Sequence, residues 1–119
     1  MEPTTDDRLE QAITAHQEGR LDEAVHLYQK ILESQPTNFD ANKNLSILFY
    51  KLGRLDEAEV SLKKTIELKP DFIEAYYDLA NTLYQLDRLD EAEKNFKKVI
   101  ELKPDHIEAY YNLGVIFVK

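Results

Sequence analysis

Arg20-Leu21-Asp22-Glu23-Ala24 is met again as Arg54-Leu55-Asp56-Glu57-Ala58 and once more as Arg88-Leu89-Asp90-Glu91-Ala92, 34 residues further on each time. The same step carries Pro36 onto Pro70 and Pro104, and Ile73-Glu74-Ala75-Tyr76-Tyr77 onto Ile107-Glu108-Ala109-Tyr110-Tyr111. A fixed period between about 20 and 50 residues marks stacked supersecondary units, each too small to bury its own apolar face. Arrays of this kind present extended surfaces to partners far more often than they carry out chemistry.

Aligned on the prolines, the chain divides into repeats Thr5–Asn38, Phe39–Phe72 and Ile73–His106, followed by a partial repeat, Ile107–Lys119, all within one domain spanning 1–119. Each full repeat reads as two helices. In the second, a first helix is predicted over roughly Asp40–Leu52 and is ended by Gly53, which adopts positive φ without penalty. The acidic Asp56-Glu57 pair then suits the positive end of a second helix dipole. That helix must stop near Lys69, because Pro70 lacks an N–H and restricts the residue before it. Asp71 with Glu74 has the spacing of a capping box, repeated at Thr37 with Asp40 and at Asp105 with Glu108. Asp87 stands where Gly19 and Gly53 stand in the earlier repeats.

Residue size predicts how the helices pack. Ala12, Ser46, Ala80 and Gly114 are equivalent, as are Ala24, Ala58 and Ala92, so small side chains recur where paired helices approach closely. Around them lie Leu45, Leu79 and Leu113; Phe49, Leu83 and Phe117; Leu21, Leu55 and Leu89; and Tyr28, Leu62 and Phe96. The first repeat is more polar, with Arg8, Gln11 and Ala15 where later repeats are bulkier. That suits a terminal, solvent-facing layer and places the natural start close to Met1.

Composition narrows the function. Hydrophobic residues make up 43% and charged residues 32% of the 119, a soluble globular balance that is too apolar for disorder. The absence of cysteine removes disulfides, thiolate nucleophiles and cysteine-bound zinc, and leaves a reducing cytosol as the default compartment. A net charge of −8 opposes binding to nucleic acid, and no apolar run reaches membrane-spanning length. His16, His26 and His106 fall at different repeat positions, unlike a metal site. Three glycines cannot form a phosphate loop. No cofactor is expected. Asn44-Leu45-Ser46 has the form of a glycosylation sequon, but two of its residues belong to the packed stripe and the match reads as chance.

The glycine, tyrosine or phenylalanine, alanine and proline positions of the 34-residue unit resemble the tetratricopeptide repeat (TPR), over essentially all of Thr5–Lys119. The resemblance implies an all-α fold, an α-solenoid of stacked antiparallel helix pairs wound into a right-handed superhelix. The first helix of each pair would line a concave groove that binds peptides or extended partner segments. The last repeat stops before its second helix, as in a fragment of a longer array.

A groove stripe follows from helical spacing. It comprises Asp40, Lys43, Asn44, Ile47 and Tyr50 in the second repeat. In the third it comprises Glu74, Tyr77, Asp78, Asn81 and Tyr84, and in the last Glu108, Tyr111, Asn112 and Val115. The peptide-binding candidates are Lys43, Asn44, Ile47, Tyr77, Asp78, Asn81, Tyr84, Tyr111 and Asn112. An asparagine amide donates to a peptide carbonyl and accepts from a peptide N–H together, and Tyr77 and Tyr111 offer flat contact surface. A similar asparagine ladder is a feature of the repeat region of O-linked N-acetylglucosamine transferases. The basic clamp with which some TPR proteins hold a chaperone's terminal carboxylate is not expected, since Asp78 and Glu108 occupy places that need an amide and a base. The acidic stripe favours a basic or neutral protein segment instead.

The sequence therefore reads as a non-catalytic protein–protein interaction module. Alternatives are a targeting or substrate-binding segment of a larger enzyme, such as a glycosyltransferase or methyltransferase, and a self-assembling scaffold. Tyr110, Leu113 and Phe117, without a second helix to cover them, are expected to form an apolar patch through which the chain associates with copies of itself.

Overall fold

A computed structural model describes residues 3–118, and among these every regular element is helical. The helices are α1 (Thr5–Gln17), α2 (Leu21–Ser34), α3 (Phe39–Lys51), α4 (Leu55–Leu68), α5 (Ile73–Gln85), α6 (Leu89–Leu102) and α7 (Ile107–Phe117). They bear out the all-α, paired-helix repeat. Two compact units are distinguished, one ending at Ser61 and one starting at Leu62. The division falls within α4. None of the helices is long and apolar enough to cross a membrane among the described residues.

The repeated pentapeptide owes its form to the turn it occupies. In the first turn Gly19, at φ 79°, donates to His16 O, and the Arg20 N–H reaches back to Ala15 O at 2.9 Å. Gly53 with Arg54 and Asp87 with Arg88 repeat both bonds. This is the Schellman arrangement, which satisfies carbonyls that the ending helix leaves open. Each arginine carbonyl then accepts the first bond of the next helix, from Ala24, Ala58 and Ala92. Each guanidinium meets the glutamate three residues on: Arg20 with Glu23, Arg54 with Glu57 and Arg88 with Glu91. These pairs lie on the surface, where ion pairs contribute little to stability. The alanines carry the packing, since all three are fully buried.

At the other connections the caps lie one residue later than predicted. Asn38, Phe72 and His106 donate their N–H groups to the carbonyls of Gln35, Lys69 and Lys103. Each bond closes a β-turn with proline second, as its fixed φ favours, and so Thr37, Asp71 and Asp105 become the third turn residues. The cap passes to the residue after. Asn38 Oδ1 accepts from the Ala41 N–H at 2.9 Å, and His106 Nδ1 from the Ala109 N–H at 3.1 Å, whereas Phe72 offers no side-chain acceptor. A true capping box forms at the start of α1, between Thr4 and Asp7.

In the first unit α1 and α2 pack as a pair and α3 packs against α2, around Ala12, Ala24, Tyr28, Leu48 and Phe49. The second unit repeats the arrangement with α5, α6 and α7, around Ala80, Leu83, Ala92, Phe96 and Leu113. In both, the side chains of one first helix and the following second helix close around small residues, so the opposite stripe of the first helix is left for other uses. Ser46 of the sequon is itself buried, in keeping with a chance match.

Asp87 holds φ at 60°, the left-handed region that a Cβ disfavours. Replacing it with glycine removes that strain but enlarges the entropy of the unfolded chain. Asp87→Gly is expected to leave stability unchanged or raise it by up to about 1 kcal/mol. The urea midpoint measures this, and a clear fall would reveal a compensating role for the carboxylate.

Candidate peptide-binding surfaces

In the first unit the sequence-derived candidates Lys43, Asn44 and Ile47 are half-buried on α3. Asn44 stands over Tyr28, whose hydroxyl is fully enclosed and lacks a partner in full hydrogen-bond geometry. Burial pushes the Tyr28 pKa up, and the nearby Asn44 amide offsets part of that effect. Both residues line an open hollow of about 520 Å³ together with Ile13, His16, Gln17 and Lys51. Lys51 Nζ lies 3.2 Å from His16 Nε2, and burial followed by the lysine charge lowers the His16 pKa. The imidazole is therefore neutral at neutral pH and accepts from the lysine. Lys43 places its ammonium over the Phe39 ring at 5.8 Å.

In the second unit the candidates are tied together. Asn112 Nδ2 on α7 donates to Tyr77 Oη and to Asn81 Oδ1 on α5, each at 3.2 Å. The Tyr77 ring meets Phe96 edge-on at 5.9 Å and lies against His106 at 4.9 Å. Tyr77 is therefore a half-buried strut rather than the flat exposed surface expected, whereas Tyr111 is 72% exposed. Asn81, Tyr84, Phe96, Asn112 and Val115 enclose a cavity of about 150 Å³. A larger, open hollow of about 550 Å³ lies beside it, lined by Ile73, Glu74, Tyr77, Lys103, His106 and Glu108.

Asp78 sits on the same stripe of α5, one turn after Glu74. Burial, reinforced by the Glu74 charge, pushes its pKa up to about 6. Among the described residues no basic side chain is paired with it. His106 was read from the sequence as incidental, yet it caps α7 and braces Tyr77. Phe96, His16 and Lys51 were likewise missed, because their part depends on which neighbouring helix each one meets. No group of three or more histidine, aspartate or glutamate side chains is placed to hold a metal among the described residues.

A further open hollow, about 770 Å³, lies between the outer parts of α1 and α2 and is lined by Pro3, Asp7, Glu10, Gln11, Thr14, Arg20, Glu23 and Leu27. Its one guanidinium is held by Glu18 and Glu23, and its lining is otherwise mostly exposed and polar. A wide polar dish of this kind supplies little of the apolar contact that fixes a ligand.

The TPR repeat family model matches residues 47–87 and 80–119, and the tetratricopeptide repeat model matches residues 15–65. The chain is similar to a solved structure of the first TPR of Spaghetti (RPAP3) bound to the HSP90 peptide SRMEEVD, at 26% identity and a TM-score of 0.85, covering 94% of this chain and 89% of that one. It is also similar to the crystal structure of MamA protein, at 27% identity and a TM-score of 0.90, covering 95% of this chain and 62% of that one. MamA 41-end from Desulfovibrio magneticus RS-1 shares the fold at 22% identity and a TM-score of 0.90, with 97% and 65% covered. The chain thus spans between 62% and 67% of the MamA chains it matches. A search of curated protein sequences gives no match.

The Asp78 carboxyl generates a pH dependence. Its pKa is raised in the fold, to about 6, above an ordinary unfolded value of about 3.9. Whatever it adds to stability is therefore fully present below pH ~4 and lost as pH rises through ~6, leaving a cost at neutral pH. Asp78→Asn is expected to raise unfolding free energy at pH 7.5 on the order of 2 kcal/mol, with the gain vanishing near pH 4. Urea unfolding at the two pH values checks this; a gain independent of pH contradicts it.

Proposed function

Because the chain belongs to the tetratricopeptide repeat family, we propose that it is a protein–protein interaction module that grips an extended partner segment along the stripes of its first helices, that of α5 and α7 foremost. The single observation that carries this reading is the tied cluster Tyr77–Asn112–Asn81, an array of amides and a hydroxyl held in place by the fold itself. Polar groups already fixed lose little entropy on engaging a ligand, which is the general advantage of preorganisation. The reading assigns the chain no catalytic step, and the fold alone is no guide to the partner's identity.

Charge selects among partner segments. The peptide of the RPAP3 structure, SRMEEVD, carries three acidic residues among its last four. Here Glu74 and an unpaired, half-buried Asp78 occupy the α5 stripe, and a second acidic chain beside them would add repulsion in a poorly solvated place. A basic or neutral segment relieves the same strain. Selection from a random peptide library should return sequences of neutral or positive net charge, bound more weakly as salt rises. Glu74→Gln/Asp78→Asn should flatten that salt dependence. Recovery of mainly acidic peptides would sink the charge assignment. Asn112→Ala should weaken all selected peptides at a stability cost of only about 1 kcal/mol, the worth of its internal bonds.

A second contact surface is read from α7. Of the three residues expected to form its apolar patch, Tyr110 and Phe117 are exposed, but Leu113 is only 7% exposed and belongs to the second unit's core. Leu113 points toward the packed side with Ala109 and Ile116, so it is withdrawn from the patch. Ile107, at 77% exposure, and Val118 join Tyr110 and Phe117 instead, flanking Gly114. At the equivalent place Ala12, Ser46 and Ala80 are buried. We propose that a second copy covers this uncharged face, closing as a symmetric dimer if the contact is isologous. Sedimentation of the 119-residue chain should show association that rises with concentration and is abolished in Tyr110→Glu/Phe117→Lys. A monomer up to millimolar concentration, or equal association of both proteins, contradicts the dimer.

A further inference from the structure

We propose that the cavity between α5, α6 and α7 is an anchor subsite for a leucine-sized aliphatic side chain, carried on an extended partner segment next to a lysine or arginine. This rests on the peptide-binding reading and specifies its ligand. The cavity measures about 150 Å³, and Phe96, Tyr84 and Val115 supply apolar wall. An apolar cavity of about this size accepts a benzene-sized guest in another protein. A leucine side chain is of that order, while a tryptophan is too large and an alanine leaves most of the space unfilled.

The rim explains why the guest should arrive on a peptide. Both N–H bonds of Asn112 Nδ2 are spent inside the protein, on Tyr77 and Asn81. What is left over is the Asn112 Oδ1 acceptor and the Asn81 Nδ2 donor, on two residues that both line the cavity. That pair complements the N–H and C=O of one peptide unit, so backbone and side chain of a single residue are engaged together. The present bonds depend on the amide orientation: a flip of Asn112 alone would turn its oxygen toward the Asn81 oxygen and break the arrangement. Asp78 lies one helical turn before Asn81 on the same stripe, with Glu74 a turn earlier, and no basic partner among the described residues satisfies it. A cation beside the aliphatic anchor meets that carboxylate.

The test uses the 119-residue chain and three blocked tetrapeptides: Gly-Leu-Lys-Gly, the same with alanine in place of leucine, and the same with glutamate in place of lysine. Titration is followed by amide chemical shifts. The leucine–lysine peptide should shift Asn81, Tyr84, Asn112 and Val115 and bind at least about tenfold more tightly than the alanine peptide, as three further buried carbons require. The glutamate peptide should bind more weakly. Val115→Phe fills the cavity and should remove the leucine preference. Val115→Ala enlarges it and should move the preference from leucine toward phenylalanine, which keeps the test valid if the larger side chain disturbs folding. Equal binding of the leucine and alanine peptides, with shifts elsewhere on the first-helix stripes, overturns the anchor subsite and leaves the peptide-binding reading standing. No binding by any of the three overturns both.

Discussion

Close approach of helix pairs at a fully buried alanine is the constraint on which the rest of the structure depends. Ala24, Ala58 and Ala92 each stand at the start of a second helix, one turn after a Schellman turn has reversed the chain. Any larger side chain there would push the pair apart, because protein interiors are packed as densely as organic crystals and have no slack to absorb it. The turn fixes where the second helix starts, the alanine fixes how near it lies, and the bulky side chain one turn further on, Tyr28, Leu62 or Phe96, fills the remaining space. Arginine and glutamate of the same pentapeptide remain at the surface, where they mark the turn without carrying its energy.

Once the pair is closed, its geometry decides what the first helix can offer. One stripe of α5 is committed to α6 through Leu79, Ala80 and Leu83, all buried. The opposite stripe is left with Tyr77, Asp78, Asn81 and Tyr84, and α7 comes near enough to add Asn112 and Val115. The polar stripe proposed to bind is thus a by-product of packing: the same periodicity that buries the leucines aligns the amides. The cost is concentrated in Asp78, whose carboxylate is held where water is scarce and a like charge is near. Under the proposed reading, a ligand that brings a positive charge recovers what the fold gives up there.

Backbone features were legible in the sequence and side-chain partnerships much less so. The helix pairs, their glycine or aspartate turns and the proline stops follow from φ preferences and missing donors, which are local properties that a repeat displays several times over. The caps at Asn38 and His106 slipped by one residue because a proline turn consumes the residue that a capping box would need. Phe96 was identified as core but not as the wall of a cavity, and Tyr77 as groove surface but not as a brace, since both depend on where α6 and α7 place their side chains. Leu113 was assigned to an open patch from repeat position alone, although the helix before it is enough to bury it. Spacing reports which stripe a residue occupies; it does not report which neighbour arrives there.

Enlarging the buried alanine in the second unit tests the account at its root. Equilibrium urea unfolding of Ala92→Leu, compared with the parent chain, isolates the close approach of α5 and α6, since Ala92 makes no polar contact that the change would remove beyond its retained backbone bond. Overpacking at a point with no slack predicts a loss of about 1–3 kcal/mol or more. A change within about ±0.5 kcal/mol, the range of an ordinary surface substitution, would contradict the claim that this contact sets the spacing of the pair.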